Sequence, residues 1–247
     1  VDRESAKLPR WADAFPYVNG GLFSGSIDGI DDKTVNFSDG EKKEFDAVLI
    51  AVGRAPLTEN IGLDNVNIAS ENGFINVDLD TFETSVANIF ALGDIVNNTP
   101  QLAHAAFAEA ISAITYIASG VKKPLDYKAI PYVVYTRPEL AEIGLNAEKA
   151  KLENIEIEQS QHSFAGVGRA MITEQNQGLV KVYAEKEGPI VGASVCGPSA
   201  GEMIHEIMYM VGWEALPEEA AEFIHAHPTL SEAVGESLLG LTGKGLH

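Results

Sequence analysis

Two histidines and a glutamate crowd one short stretch near the end of the sequence, His225-Ala226-His227-Pro228-Thr229-Leu230-Ser231-Glu232. Proline fixes its own φ and disfavours helical geometry in the residue before it, so His227 is predicted on an extended turn. Thr229 is placed to cap a helix that starts at Leu230 and carries Glu232 in its first turn. From there Glu232 can fold back toward the His227 ring. A carboxylate at one ring nitrogen fixes the tautomer and raises the basicity of the other, which is how a general base is built. Two other readings stay open on these residues alone. One is a polar turn ahead of a C-terminal helix. The other is a metal site on His225 and His227, for which a chain with a single cysteine offers few further ligands, so no metal is expected.

Other segments must position this chemistry. Ala87-Asn88-Ile89-Phe90-Ala91-Leu92-Gly93-Asp94 reads as a buried strand ending in Gly-Asp. Gly93 would let the backbone approach a ligand, and Asp94 would accept hydrogen bonds from a sugar-alcohol hydroxyl. By itself the Gly-Asp pair could equally be a turn at a strand end. Gln101-Leu102-Ala103-His104 then opens an apolar helix predicted to run to about Ser119, with Gly120 and Pro124 ending it. Upstream, Asp46 to Pro56 holds an apolar run, Val48 to Val52, without polar alternation, as in a fully buried parallel strand. Downstream lie Tyr135-Thr136-Arg137-Pro138-Glu139-Leu140-Ala141-Glu142-Ile143-Gly144 and Gly168-Arg169-Ala170.

Taken in order, these five segments resemble the pyridine nucleotide-disulfide oxidoreductase family, and the His-x-His-Pro-Thr-Leu-Ser-Glu run resembles its dihydrolipoamide dehydrogenase branch. The resemblance implies that His227 is the acid/base serving a redox dithiol and that Glu232 orients it. It places Gly93, Asp94, Gln101, Leu102, Ala103 and His104 against FAD, with the helix N-terminus aimed at the flavin ring. Free N–H groups and the positive dipole end favour negative charge there. Gly53 would pass close to the nicotinamide nucleotide, NAD. The same resemblance implies a homodimer in which each histidine serves the partner's site, and lipoyl domains of 2-oxo acid dehydrogenase complexes as partners. The implied reaction is oxidation of dihydrolipoamide with NAD. Alternatives are a related disulfide reductase of the glutathione or mercuric type, or a dimerisation fragment without catalysis.

Several family features are missing from the sequence. Neither G-x-G-x-x-G nucleotide turn occurs; Asn19-Gly20-Gly21 and Gly25-Ser26-Ile27 lack the spacing. The redox disulfide needs two cysteines, and the chain has only Cys196, in an apolar run that reads as a buried strand. The expectation is therefore the C-terminal part of such an enzyme, inactive alone. Residues 1–54 would be the end of an NAD-binding domain, and residues 55–124 the closing segment of an FAD-binding domain. Residues 125–247 would form the dimerisation domain. The fold class is α/β followed by α+β, with an antiparallel sheet in the last domain.

Expected strands there are Tyr132 to Thr136, Ile155 to Phe164, Leu179 to Ala184 and Ile190 to Val195. Expected helices are Asn146 to Leu152, Gly201 to Val211, Pro217 to Phe223 and Leu230 to Leu239, lying on one face. The Met203, Ile204, Ile207, Met208 and Val211 stripe has helical spacing and reads as core. Earlier in the chain, Thr34 to Phe37 and Gly73 to Val77 read as strands, with an Asp39-Gly40 turn. A net charge of −19 argues against nucleic acid and anionic membrane surfaces. No apolar run is long enough to cross a bilayer, and the lone cysteine fits a reducing compartment such as the cytoplasm.

Overall fold

The computed structural model describes residues 26–51 and 53–245. Val52 and the candidate turn at Asn19-Gly20-Gly21 lie outside that range. The chain divides into two compact units, Val1–Leu57 and Thr58–His247.

Within the first unit, β1 (Ile27–Asp31), β2 (Thr34–Phe37) and β3 (Lys42–Glu44) form an antiparallel meander. The Asp-Gly turn forms as expected. Gly40 takes φ +89°, and the Phe37 N–H donates to the Glu41 carbonyl across the turn at 2.9 Å. The apolar run after β3 departs from expectation. Residues 47–51 are irregular, and Leu49 is 92% exposed rather than buried in a parallel strand. A parallel strand has its N–H and C=O groups satisfied only by neighbouring strands. Among the described residues none pairs with this run.

The second unit opens with α1 (Leu63–Val66) and the hairpin of β4 (Ser70–Glu71) and β5 (Phe74–Ile75). Ile75, Ala91 and Val96 make a small core there. The expected strand before Asp94 does not form. Only isolated bridges appear, Glu83 to Phe90 and Val77 to Thr84, and Gly93–Ile95 curl into a single 3₁₀ turn. Asn88 at φ +65° breaks the extended run before it reaches Asp94. α2 (Ala103–Ser119) follows as expected and ends at Gly120, whose φ of +72° lets its N–H return to the Tyr116 carbonyl.

From residue 130 onward the chain builds a five-stranded antiparallel sheet in the order β6 (Tyr132–Val134), β7 (Glu139–Gly144), β10 (Ile190–Gly197), β9 (Leu179–Glu185), β8 (Ile157–Ser163). Strand alternation sends Ala141, Ile143, Val180, Val182, Ala193 and Val195 to one face, in register across β7, β10 and β9. α5 (Ala200–Gly212) covers β10 and β7 on that face, and α7 (Glu232–Leu241) covers β8 and β9. Met203, Ile204 and Ile207 of the predicted stripe enter this core, while Met208 and Val211 pack at its edge.

β7 was not foreseen as a strand, nor α4 (Gly168–Ile172) as a helix. α3 (Ala147–Glu153) begins at Asn146, whose side chain accepts from the Glu148 and Lys149 N–H groups. It departs from the one-face arrangement: Lys149 reaches Glu142 at 3.6 Å and the Tyr132 ring centre at 6.0 Å, both on the opposite side of the sheet from α5. Cys196 also points to that side. It is half-buried rather than buried, and burial pushes its thiol up.

Candidate active site

The segment between α6 (Pro217–Ala220) and α7 carries the acid/base candidate. The His227–Pro228 peptide is cis. α7 starts at Glu232, two residues later than expected, with Ser231 rather than Thr229 before it. Thr229 serves differently. Its hydroxyl donates to the Ala226 carbonyl at 2.7 Å, closing the turn, and its N–H donates to Glu232 Oε2 at 2.8 Å. The other carboxylate oxygen, Glu232 Oε1, lies 2.8 Å from His227 Nδ1. Sequence and structure therefore agree on the pair, with the helix start corrected.

Partial burial pushes the Glu232 carboxyl up. The Thr229 N–H, the His227 ring and the charges of His227 and His225 outweigh that and hold it below the usual carboxylate range. An ionised carboxylate only accepts, so Nδ1 of His227 carries the proton and Nε2 keeps its lone pair. The ring is not enclosed: the His227 side chain is 75% exposed, while that of Glu232 is mostly covered. The arrangement is an imidazole with one nitrogen fixed from behind and the other open to a reactant. Gly168, the first residue of α4, flanks the ring; a Cβ built there would lie 3.7 Å from His227 Cε1. The Gly168-Arg169-Ala170 segment thus stands beside the candidate base, a juxtaposition that spacing alone could not reveal.

The cofactor candidates form a second group. Gly93 takes φ +76°, and a Cβ there would crowd Ala106 of α2 at 3.3 Å, so the turn bearing Asp94 sits directly on the helix. The Gln101 side chain donates to the Asp94 carbonyl at 3.2 Å. Leu102 precedes α2 in extended geometry without a side-chain cap, leaving the N–H groups of Ala103, His104 and Ala105 turned outward. His104 Nε2 lies 2.9 Å from the Pro131 carbonyl, which fixes its ring. A half-buried carboxylate beside an uncapped helix start fits a ligand with sugar hydroxyls and developing negative charge, as a flavin nucleotide has. Gly53 requires its φ of +121°, but a Cβ there would meet nothing within 4 Å.

Glu109 is the one carboxylate within the apolar helix α2. Its side chain is fully buried. Oε2 accepts from the Gly93 N–H at 2.6 Å and Oε1 from the Tyr127 hydroxyl at 3.0 Å. Burial and the Glu109 carboxylate push the Tyr127 phenol upward, keeping it a donor. One carboxylate thus latches the Asp94 turn to α2. The signal was present in the sequence: Ala105, Glu109, Ser112 and Ala113 fall on one helical stripe, and all four are buried.

Comparison with known proteins gives two matches to models of one family. The model of the pyridine nucleotide-disulphide oxidoreductases matches residues 24–110, and the model of their dimerisation domain matches residues 130–238. The dihydrolipoyl dehydrogenase of Haloferax volcanii is 38% identical over 218 residues, covering 87% of this chain and 46% of that protein. That of Bacillus subtilis is 36% identical over 212 residues, 85% of this chain and 44% of the relative. The mitochondrial dihydrolipoyl dehydrogenase of Canis lupus familiaris is 38% identical over 226 residues, 89% and 44% respectively. Among solved structures, LpdA from Mycobacterium tuberculosis superposes with a TM-score of 0.76 at 26% identity, over 84% of this chain and 45% of that one. The flavoprotein disulfide reductase RclA of Escherichia coli shares the fold, with a TM-score of 0.79 at 24% identity over 88% of this chain and 50% of that one. The chain spans about half the length of the curated relatives it matches.

Proposed function

The chain belongs to the pyridine nucleotide-disulphide oxidoreductase family, and from that premise we propose that it supplies the acid/base half of a flavin-dependent dihydrolipoamide dehydrogenase. The observation that carries this reading is the 2.8 Å contact between His227 Nδ1 and Glu232, with the opposite ring nitrogen left open. His227 takes a proton at Nε2 from a thiol of dihydrolipoamide, and Glu232 stabilises the imidazolium that results. The thiolate so formed attacks one sulfur of a disulfide, and the other sulfur leaves as a thiolate. That disulfide needs two cysteines, so with Cys196 as the lone thiol here it belongs to polypeptide beyond these 247 residues. A second exchange releases the lipoamide disulfide and leaves two cysteine sulfurs reduced.

FAD, when bound, would take the electron pair from that dithiol and pass it to NAD. Asp94 would hold the sugar-alcohol part of the flavin, and the Gln101–His104 start of α2 would face its ring. The same reading makes the assembly a homodimer in which the exposed His227 serves the partner's disulfide, with lipoyl domains delivering the substrate. Gly53 is the chain's contribution toward NAD, by the family resemblance. A reducing compartment such as the cytoplasm suits the dithiol chemistry.

The test is His227→Gln in the intact flavoprotein, with steady-state turnover of dihydrolipoamide and NAD as the readout. A loss of about two to four orders of magnitude is expected, the usual worth of a positioned acid/base. Near-normal turnover removes His227 from the mechanism. Turnover by the wild type with glutathione disulfide in place of lipoamide would move the protein to another branch of the family.

A further inference from the structure

We propose that Glu206 and His225 are positioning residues for the His227–Glu232 pair, forming a second carboxylate–imidazole couple that ties the loop bearing His227 to α5 and places a cation beside Glu232. The inference rests on the reading of His227 as the acid/base given above. His225 Nε2 lies 2.6 Å from Glu206 Oε1, on the middle of α5. The His225 side chain is only 15% exposed, in contrast to the ring two residues later. It is wedged against α7, because a Cβ built on Gly235 would fall 2.6 Å from His225 Nδ1. Gly235 therefore provides the slot for the ring, and Glu232 stands one turn earlier on the same helix.

An apolar side chain could anchor a loop between two helices. This anchor is polar, and it has a carboxylate on each helix. The charged and titratable groups acting on His225 are Glu206 from α5 and Glu232 from α7, with the Phe223 backbone from its own segment; His227 stands on that segment too. The Glu206 hydrogen bond lifts the His225 proton affinity above the ordinary imidazole range, against the opposing effect of burial. Protonated His225 in turn helps keep Glu232 ionised. An ionised Glu232 is what holds the proton of His227 on Nδ1 and leaves Nε2 free. Loss of the His225 proton would leave Glu206 and Glu232 with less positive charge beside them.

The experiment is nitrogen-15 NMR of histidine-labelled protein, using the 247-residue chain, with ring signals followed from acid to alkaline pH. In the wild type the His227 signals should show a second inflection at the midpoint of His225. Glu206→Gln should shift that inflection to lower pH together with His225. His225→Gln should abolish it and strengthen proton binding at His227 about three- to tenfold, the effect of removing one nearby unit charge in partly wet surroundings. Gly235→Ala fills the ring slot in a residue type that favours helix, and should reproduce the Glu206→Gln pattern. A single His227 inflection, unmoved in every variant that keeps the wild-type circular dichroism, overturns the proposal. Should the substituted chains not fold, the wild-type titration decides alone: no second inflection, no coupling. Failure of the functional reading would look different, with normal turnover of His227→Gln beside an intact NMR coupling.

Discussion

Residues 130–245 and residues 58–129 hold their chemistry in contrasting ways. The later region closes a full core, in which Ile143, Val182, Ala193, Ile204, Ile207 and Leu238 are essentially without exposure. The earlier region has a small core cluster of Ile75, Ala91 and Val96 with their neighbours, and Phe82 is buried besides. Its long helix, α2, buries the narrow stripe of Ala105, Glu109, Ser112 and Ala113 and leaves Phe107, Ile111, Ile114 and Ile117 open. The candidate base His227 therefore stands beside a domain whose core is closed by apolar packing. The turn of Asp94 is held by a hydrogen bond from the Gly93 N–H to one buried carboxylate, Glu109. A precise site can be held either way, but the two fail differently: a packed framework loses stability by degrees, and a latch loses its geometry at once.

The strongest way to break the comparison is chemical. His227→Gln should cost the intact flavoprotein about two to four orders of magnitude in turnover, without loss of bound flavin. The absorbance spectrum of the purified variant checks the second half. Flavin loss on that substitution would show that the two regions are not separable in role. Next in size is the packing itself. Ile204 lies wholly within the core, so Ile204→Ala should lower the unfolding free energy of this chain by about 2–5 kcal/mol. Ile114 is 61% exposed, and Ile114→Ser should stay within about 0.5 kcal/mol. Urea denaturation followed by circular dichroism measures both, and equal costs would erase the contrast.

The latch gives a smaller effect with a sharper location. Glu109→Ala strands the Gly93 N–H and the Tyr127 hydroxyl without their acceptor, at a cost of about 1–3 kcal/mol. Amide exchange at Gly93 should accelerate more than exchange within β9 or β10. Uniform acceleration would mean that Glu109 supports the whole fold rather than the Asp94 turn.

What the sequence could and could not disclose follows the same division. Periodic apolar spacing revealed α2, α5 and the strands β9 and β10, because each buries one regular face. The His227–Glu232 pair was legible too, since a proline and a carboxylate a few residues apart constrain each other locally. β7 was hidden by Glu139 and Glu142, which fall on opposite faces of the strand and interrupt its apolar alternation. The run from Val48 was misread because a buried parallel strand depends wholly on neighbours, and apolar content alone does not supply them. Long-range partners were beyond reach. Nothing in the spacing links Glu206 to His225 across 19 positions, or Gly93 to Glu109 across 16.

The smallest effect concerns pH, and it probes the later region where packing and charge meet. Contact with Glu206 raises the His225 value in the folded chain above its ordinary 6.5. A group with a raised folded value contributes stability that is fully present below the unfolded value. That contribution is lost as pH climbs through the folded value. Glu232 has the opposite sense: its folded value is lowered, so its contribution is present above its ordinary 4.5 and is lost as pH falls. The two contributions coexist only between those ordinary values, and the urea midpoint of the chain should peak in that window. It should decline on the alkaline side as His225 gives up its proton, and His225→Gln should flatten that alkaline decline while leaving the acid limb in place. Identical alkaline limbs in variant and wild type would show that the framework around His227 owes its stability to apolar packing alone.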